Sequence, residues 1–395
     1  MGAVNVLKAA RAAAVPPGRR GKKGGFPVRK YIALGLAALL ALSAVLTGCG
    51  KGEEDDGGGE SSGGGEKKIA SVCYVTDMLG DKSFSDIANE GLVKAGKDFG
   101  LEVKTIEYGT DKSKMEPSML DAAENFDLVF FYSGELLEVV QRYAEEYPDV
   151  KFVGFDIDPT KEAGHPNVFC LTYAQNEGDF LAGALAAKIS KTGTIGYVAG
   201  RESPVINDFL VGYIEGAQHA NPSGKVAFSY IGDFVNTAKA KELALLQIQQ
   251  NKADVIHQVA AGAGLGVFEA AADNPGTWTI GVDADQRNFF IDSKPEVADV
   301  ILTSMMKRND ITLYDIIEKT CDGSADFYGT NETWGILEGV VVLVENDYYK
   351  QNTPQEVQDY VKECEGKVTS GEIKVPTAYG MDQDTLNEMR NKVKA

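Results

Sequence analysis

Three aspartates stand where an apolar run gives way to a loop, the position from which a side chain can reach a small polar molecule. Asp77 follows Ile69–Thr76, Asp156 follows Lys151–Phe155, and Asp283 follows Trp278–Val282. A carboxylate at such a strand end can accept two hydrogen bonds from vicinal hydroxyls, a common way to grip a sugar. Asp156 reads as a ligand contact or, by preference, as a hinge and turn residue. Lys307, at the end of Ser304-Met305-Met306-Lys307, either donates to a hydroxyl or is solvated. Phe84 opens a helical pattern beside the loop after Asp77, as a core anchor or as a stacking platform. Asp81 and Ser83 read as helix N-caps.

The search for reactive chemistry finds little. The run Gly262-Ala263-Gly264-Leu265-Gly266 imitates a dinucleotide fingerprint, with Asp283 about twenty residues on, but position 267 is Val rather than Gly. It reads better as a tight turn in which Gly262 lets backbone approach a ligand. There is no Gly-x-Ser-x-Gly elbow and no His-Glu-x-x-His, and His165, His219 and His257 lack metal-ligand spacing. The expectation is a binding protein, not an enzyme, with no cofactor and no metal. The rival is an extracytoplasmic enzyme on nucleosides or sugars, with Asp77 or Asp156 as its base.

The elements that position these residues alternate. Ile69–Thr76, Leu101–Glu107, Leu128–Tyr132 and Lys151–Phe155 read as strands, separated by helical stretches at Phe84–Phe99, Met115–Asn125 and Glu135–Tyr147. The strands are near-continuous apolar runs, as in a parallel sheet covered on both faces. The alternation restarts at Gly178–Lys191 and continues through Thr194–Val198, Ile206–Ala220, Val226–Ile231, Ala238–Lys252, Asp254–Val259, Leu265–Asp273 and Trp278–Val282. The fold class is therefore α/β, with two doubly wound parallel-sheet lobes joined by a hinge and a ligand cleft at the carboxyl ends of the strands. Val300–Ser304 with Arg308–Cys321 reads as one more β-α unit returning to the first lobe, and 333–344 as one apolar β segment. This gives a first lobe of residues 69–173 plus 286–322, a second of 174–285 plus 323–375, and a C-terminal helix or tail over 376–395.

The ends set the compartment. Residues 1–30 carry eight Lys and Arg and no acid, Tyr31–Val45 is apolar, and Leu46-Thr47-Gly48-Cys49 follows. Basic start, apolar run and small residues make a secretory signal over 1–48. The fifteen-residue apolar run is shorter than the ~20 residues a spanning helix needs. The Leu-Thr-Gly-Cys ending resembles the lipobox of bacterial lipoproteins, which implies lipidation of Cys49 and cleavage before it. Gly50–Lys68, rich in Gly, Ser, Glu and Asp, has nothing to bury and reads as a flexible tether. Loss of the eight basic leader residues takes the formal charge from −19 to −27, which argues against nucleic acid as a partner. Cys73, Cys170, Cys321 and Cys364 show no CxxC spacing and read as free thiols, buried where they lie in apolar strands.

With these residues in order, the chain resembles the basic membrane protein family of lipoproteins, the purine nucleoside receptor A-like binding components of ABC importers. The resemblance runs from about Ile69 to Val344. It is carried by Val75-Thr76-Asp77 with Asp81-Lys82-Ser83-Phe84, by Asn176-Glu177-Gly178-Asp179-Phe180-Leu181-Ala182-Gly183, by Phe209-Leu210-Val211-Gly212-Tyr213, by Ile280-Gly281-Val282-Asp283-Ala284-Asp285-Gln286, and by Ser304-Met305-Met306-Lys307. It implies a type I periplasmic-binding-protein fold. It also implies a nucleoside, expected to be a purine one, with its base between Phe84 and Phe209. Asp77 and Asp156 would bond the base edge, and Asp283 and Lys307 the ribose hydroxyls. A permease and an ATPase would be the partners of a monomer anchored by lipid outside the cytoplasmic membrane. The chain departs from the family in the loop Met78-Leu79-Gly80, which is shortened, and at Ser85, where the family has Asn. That loop borders the base, so a simple-sugar receptor of the same fold is the alternative within the binding class.

Overall fold

A computed structural model describes residues 69–395. The expected signal, Cys49 and the tether lie outside the described residues. The chain opens with β1 (Ser71–Thr76), α1 (Phe84–Phe99), β2 (Glu102–Glu107), α2 (Met115–Asn125), β3 (Leu128–Tyr132), α3 (Gly134–Tyr143), β4 (Lys151–Phe155) and β5 (Val168–Tyr173). It continues with α4 (Gln175–Ile189), β6 (Thr194–Ala199), α5 (Pro204–Ala220), β7 (Lys225–Tyr230), α6 (Thr237–Leu246), β8 (Val255–Val259), α7 (Leu265–Ala272), β9 (Trp278–Val282), α8 (Pro295–Ala298) and β10 (Ile301–Lys307). The last elements are α9 (Asn309–Asp322), β11 (Asn331–Trp334), β12 (Val341–Leu343), α10 (Asp347–Asn352), α11 (Gln355–Thr369) and α12 (Gln383–Val393).

Two six-stranded sheets result, in the orders β11-β5-β4-β3-β1-β2 and β12-β10-β9-β8-β6-β7. All pairings are parallel except β10 with β12. The inner strands are buried along all but an end residue, as helices on both faces require. Element by element the sheets correspond: β4 to β9, β5 to β10, β1 to β6. This is the two-lobed α/β architecture expected from the alternation, and among the described residues Cys73, Cys170 and Cys364 are buried free thiols.

The lobe boundaries differ from the expectation in three places. β10 pairs with β9 and so belongs to the second sheet, not to the first lobe. The helix after it, α9, does cross over and packs on α1. In the same way α4 leaves the first sheet after β5 and packs on α5 in the second lobe, so each lobe receives a helix from the other's last long strand. Residues 333–344 are not one segment, since β11 closes the first sheet and β12 the second. The C-terminal stretch is not an independent tail, because α12 packs on α5 and Lys394 bridges to Val226.

The α4–α5 contact places the candidate site. A Cβ at Gly212 would lie 2.1 Å from the Asn176 carbonyl oxygen, and one at Gly216 would lie 1.9 Å from that of Phe180. Only glycine lets the helices approach so closely, and this contact fixes Phe209 one turn before Gly212.

Candidate functional site

Three chain segments pass between the lobes, and they run side by side. Ala174 N–H donates to the Trp334 carbonyl at 2.8 Å, and Arg308 N–H to that of Val340 at 2.7 Å. They form the hinge, and the strand ends open into the cleft beside it.

At one end of the cleft the loop before α1 reaches the other lobe. Asp81 performs the capping expected of it, accepting from Ser85 N–H at 2.9 Å and Asp86 N–H at 3.2 Å. Ser83 occupies the N-cap position but makes no side-chain cap bond. With the helix end already satisfied by Asp81, its hydroxyl crosses the cleft and donates to Asp283 Oδ2 at 2.6 Å. Gln286 Nε2 donates to the Lys82 carbonyl at 3.1 Å, and the Lys82 ammonium lies 5.1 Å from the Phe289 ring centre. Gly262 faces the same loop, since a Cβ there would meet Asp81 Cα at 3.7 Å. A side chain there would make ordinary van der Waals contact with that loop, so the close approach expected at Gly262 is not seen.

Asp283 is buried and adopts φ +64°, which turns its side chain back from β9 into the cleft. Burial pushes its carboxyl up to about 7, against the opposing pull of Lys307 and the Ser83 hydrogen bond. Asp156 adopts φ +60° at the matching place after β4. Its partner is Lys307 Nζ, at 2.5 Å from Oδ1, which joins the lobes by an ion pair.

Lys307 is the centre of the arrangement. Its side chain is 1% exposed, and its ammonium lies 5.2 Å from the Phe84 ring, 5.1 Å from Phe209 and 5.0 Å from Tyr173. Three aromatic faces around a desolvated cation each contribute on the order of 1–2 kcal/mol of attraction. Phe84 stacks on Phe155 at 5.4 Å and meets Tyr132 edge-on at 5.2 Å. It is therefore both core anchor and cleft wall. Asp77 sits beside Tyr132, whose phenol burial pushes well above its usual range, with Tyr74, Asp77 and Tyr108 adding to the shift. Asp77 Oδ1 accepts from the Met78 N–H at 2.7 Å.

The structure thus brings Phe84, Phe209, Asp156 and Lys307 together and sets Asp283 with Ser83 at one end. It pairs Lys307 with Asp156, where the resemblance had grouped it with Asp283. It adds Ser83, Tyr173 and a group around Asp208 that sequence reasoning did not reach. Asp208 precedes Phe209 in α5 and is 1% exposed. It accepts from Gln175 Nε2 at 2.7 Å, Thr377 Oγ1 at 2.6 Å and Ala378 N–H at 2.8 Å. Burial raises its carboxyl to about 6 despite those bonds. Deeper in the second lobe, the fully buried His257 bonds Asp179 and the Ile280 carbonyl, both at 3.0 Å. That pair ties β8 to α4 and β9 in the core.

Comparison with known proteins now decides the family. The model of ABC transporter substrate-binding proteins of the PnrA-like type matches residues 67–378. The chain belongs to that family. Among curated relatives, the ABC transporter nucleoside-binding protein BmpA of Lactococcus lactis is 32% identical over 89% of this chain and 100% of its own length. Basic membrane protein A of Borreliella burgdorferi is 29% identical over 75% of this chain and 84% of its own. Among solved structures, a solute-binding protein of an ABC transporter system from Aeropyrum pernix superposes with a TM-score of 0.68 at 24% identity, covering 82% of this chain and 98% of that one. The likeness in structure supports the type I periplasmic-binding-protein fold. The PnrA-like protein described here is thus a substrate-binding component of an ABC transporter. Among the described residues no helix is long and apolar enough to cross a membrane.

Proposed function

We propose that this PnrA-like protein binds a purine nucleoside between its lobes and delivers it to a membrane permease driven by a cytoplasmic ATPase. The observation that carries the reading is the convergence of Phe84 and Phe209, from opposite lobes, on one point. Aromatic faces on both sides of a slot suit a flat base, and stacking contributes about 1–3 kcal/mol per base. In this reading the Lys307 ammonium shifts from between the rings toward the ribose, while Asp283 accepts from its hydroxyls. Asp77 and Asp156, carboxylates at the other strand ends, take the N–H groups of the base. The basic and apolar leader and Cys49 support export and lipid anchoring outside the cytoplasmic membrane.

The test is a thermal-shift panel of nucleosides, free bases and simple sugars, followed by recovery of the bound molecule. Stabilisation by a nucleoside, recovered intact, is the expected result. Recovery of free base would mean an enzyme. A shift with free sugars alone would favour the second reading, a simple-sugar receptor, for which the shortened loop Met78–Gly80 beside Asp77 is the supporting feature.

A further inference from the structure

The segment between α11 and α12 is built into the cleft region. Asn176 Nδ2 donates to the carbonyls of Val375 and Pro376 at 3.2 and 3.1 Å, at the start of α4. Thr377 and Ala378 supply two of the three hydrogen bonds that Asp208 accepts, directly beside Phe209. Tyr379 comes next, and its phenol oxygen accepts from Gln175 Nε2 at 3.0 Å. Gln175 is itself fully buried, and its Oε1 has no partner among the described residues.

We propose that Tyr379 is a ligand-contacting residue of the cleft, donating its phenolic proton to an acceptor atom on the edge of the bound base; this rests on the nucleoside reading above. The phenol oxygen is occupied as an acceptor by Gln175, while its proton meets no acceptor among the described residues. Burial, and after it the carboxylates of Asp156, Asp208 and Asp158, hold that phenol well above its usual range, so it keeps its proton at neutral pH. Asp156 and Asp158 follow β4 in the first lobe, whereas Gln175 and Asp208 belong to helices of the second. Gln175 follows the hinge residue Ala174 and also bonds Asp208, the neighbour of Phe209, so its bond to Tyr379 sets that phenol on the hinge side of the cleft.

A base edge presents an N–H group beside an acceptor, either a carbonyl oxygen or a ring nitrogen. Strand-end carboxylates can serve the N–H but not the acceptor. In that reading Lys307 turns to the ribose, and Tyr379 supplies the missing donor. A site built with such a donor disfavours ligands that lack its acceptor, because the hydroxyl is left unpaired when the ligand covers it.

The experiment is calorimetric titration of wild type and Tyr379→Phe with adenosine and 1-deazaadenosine, and with inosine and 6-thioinosine. The first analogue lacks the ring-nitrogen acceptor, and the second carries sulfur, a weak acceptor, in place of the carbonyl oxygen. Melting of both proteins serves as the folding control. Loss of one neutral hydrogen bond should weaken the parent nucleoside about threefold to tenfold in Tyr379→Phe. The analogue should bind the two proteins within about twofold of each other. Equal weakening of parent and analogue would make Tyr379 a structural strap only and overturn the contact, as would no weakening at all. If wild type binds none of the four, the nucleoside reading itself fails and this inference falls with it.

Discussion

Asp156 follows β4 and Asp283 follows β9, in each case the third strand from the same end of its sheet, and both stand at φ near +60°. Matched positions have acquired different chemistry. Asp156 keeps some exposure, 13%, and a cation at 2.5 Å, which compensates its charge. Asp283 is buried, bonded by a neutral hydroxyl, and raised to about 7. The strand end fixes where a carboxylate stands, and the opposite lobe sets which partner it meets. Across from Asp156 comes Lys307, whereas across from Asp283 comes Ser83, released from capping by Asp81.

The comparison can be broken most severely at Lys307. Lys307→Met keeps the volume but leaves Asp156 without its cation inside three aromatic walls. Unpairing a largely buried ion pair costs roughly 3–5 kcal/mol, and the residual exposure of Asp156 argues for the lower part of that range. Chemical denaturation should show the loss, and adding Asp156→Asn should recover part of it. If the double variant is no better than the single one, the pair is not what holds these groups.

The two aspartates should next diverge when each is made neutral. Asp156→Asn should destabilise, whereas Asp283→Asn, which still accepts from Ser83, should be neutral or stabilising near pH 8. The pH dependence sharpens this. The folded value of Asp283, about 7, lies above that of an ordinary carboxyl, so the folded protein holds the proton more tightly than the unfolded chain. The associated stability is whole below about pH 4 and is lost as pH rises through about 7. Asp81 and Asp208, both raised to about 6, act in the same direction. Melting temperature should therefore fall between about pH 4.5 and 7.5, with a shallower fall in Asp283→Asn. An unchanged slope would remove Asp283 from this account. The smallest effect belongs to Ser83→Ala, about 1 kcal/mol in denaturation, since one hydrogen bond is lost while Asp81 still caps α1.

Much of the fold was legible in the sequence because doubly covered parallel strands are continuous apolar runs. β3 and β4, and the helices α1 and α2, have the bounds that the pattern gives. The errors fall where strands are short or change lobe. Nothing in Ile301–Lys307 itself distinguishes pairing with β9 from return to the first sheet, and β11 and β12 are four and three residues long. The strand-end aspartates could be located for the same reason the strands could. Their partners could not, because Ser83 looked like an ordinary cap. Gln175 meets Tyr379 across 204 positions, and Thr377 meets Asp208 across 169. Those pairings follow from the helix exchange between lobes, which no local pattern records.

The central claim is that opposite lobes close on a ribonucleoside, with Asp283 accepting from its hydroxyls. Calorimetric titration of wild type and Asp283→Ala with adenosine, inosine, guanosine and their 2′- and 3′-deoxy forms tests it most directly. Bonds between hydroxyls and a carboxylate contribute about 1.5–3 kcal/mol each, so Asp283→Ala should weaken a ribonucleoside at least about tenfold. Wild type should already bind the deoxy forms more weakly, and the variant should discriminate less between them. A nucleoside that binds tightly, with Asp283→Ala costing nothing and deoxy forms binding equally well, would contradict the account.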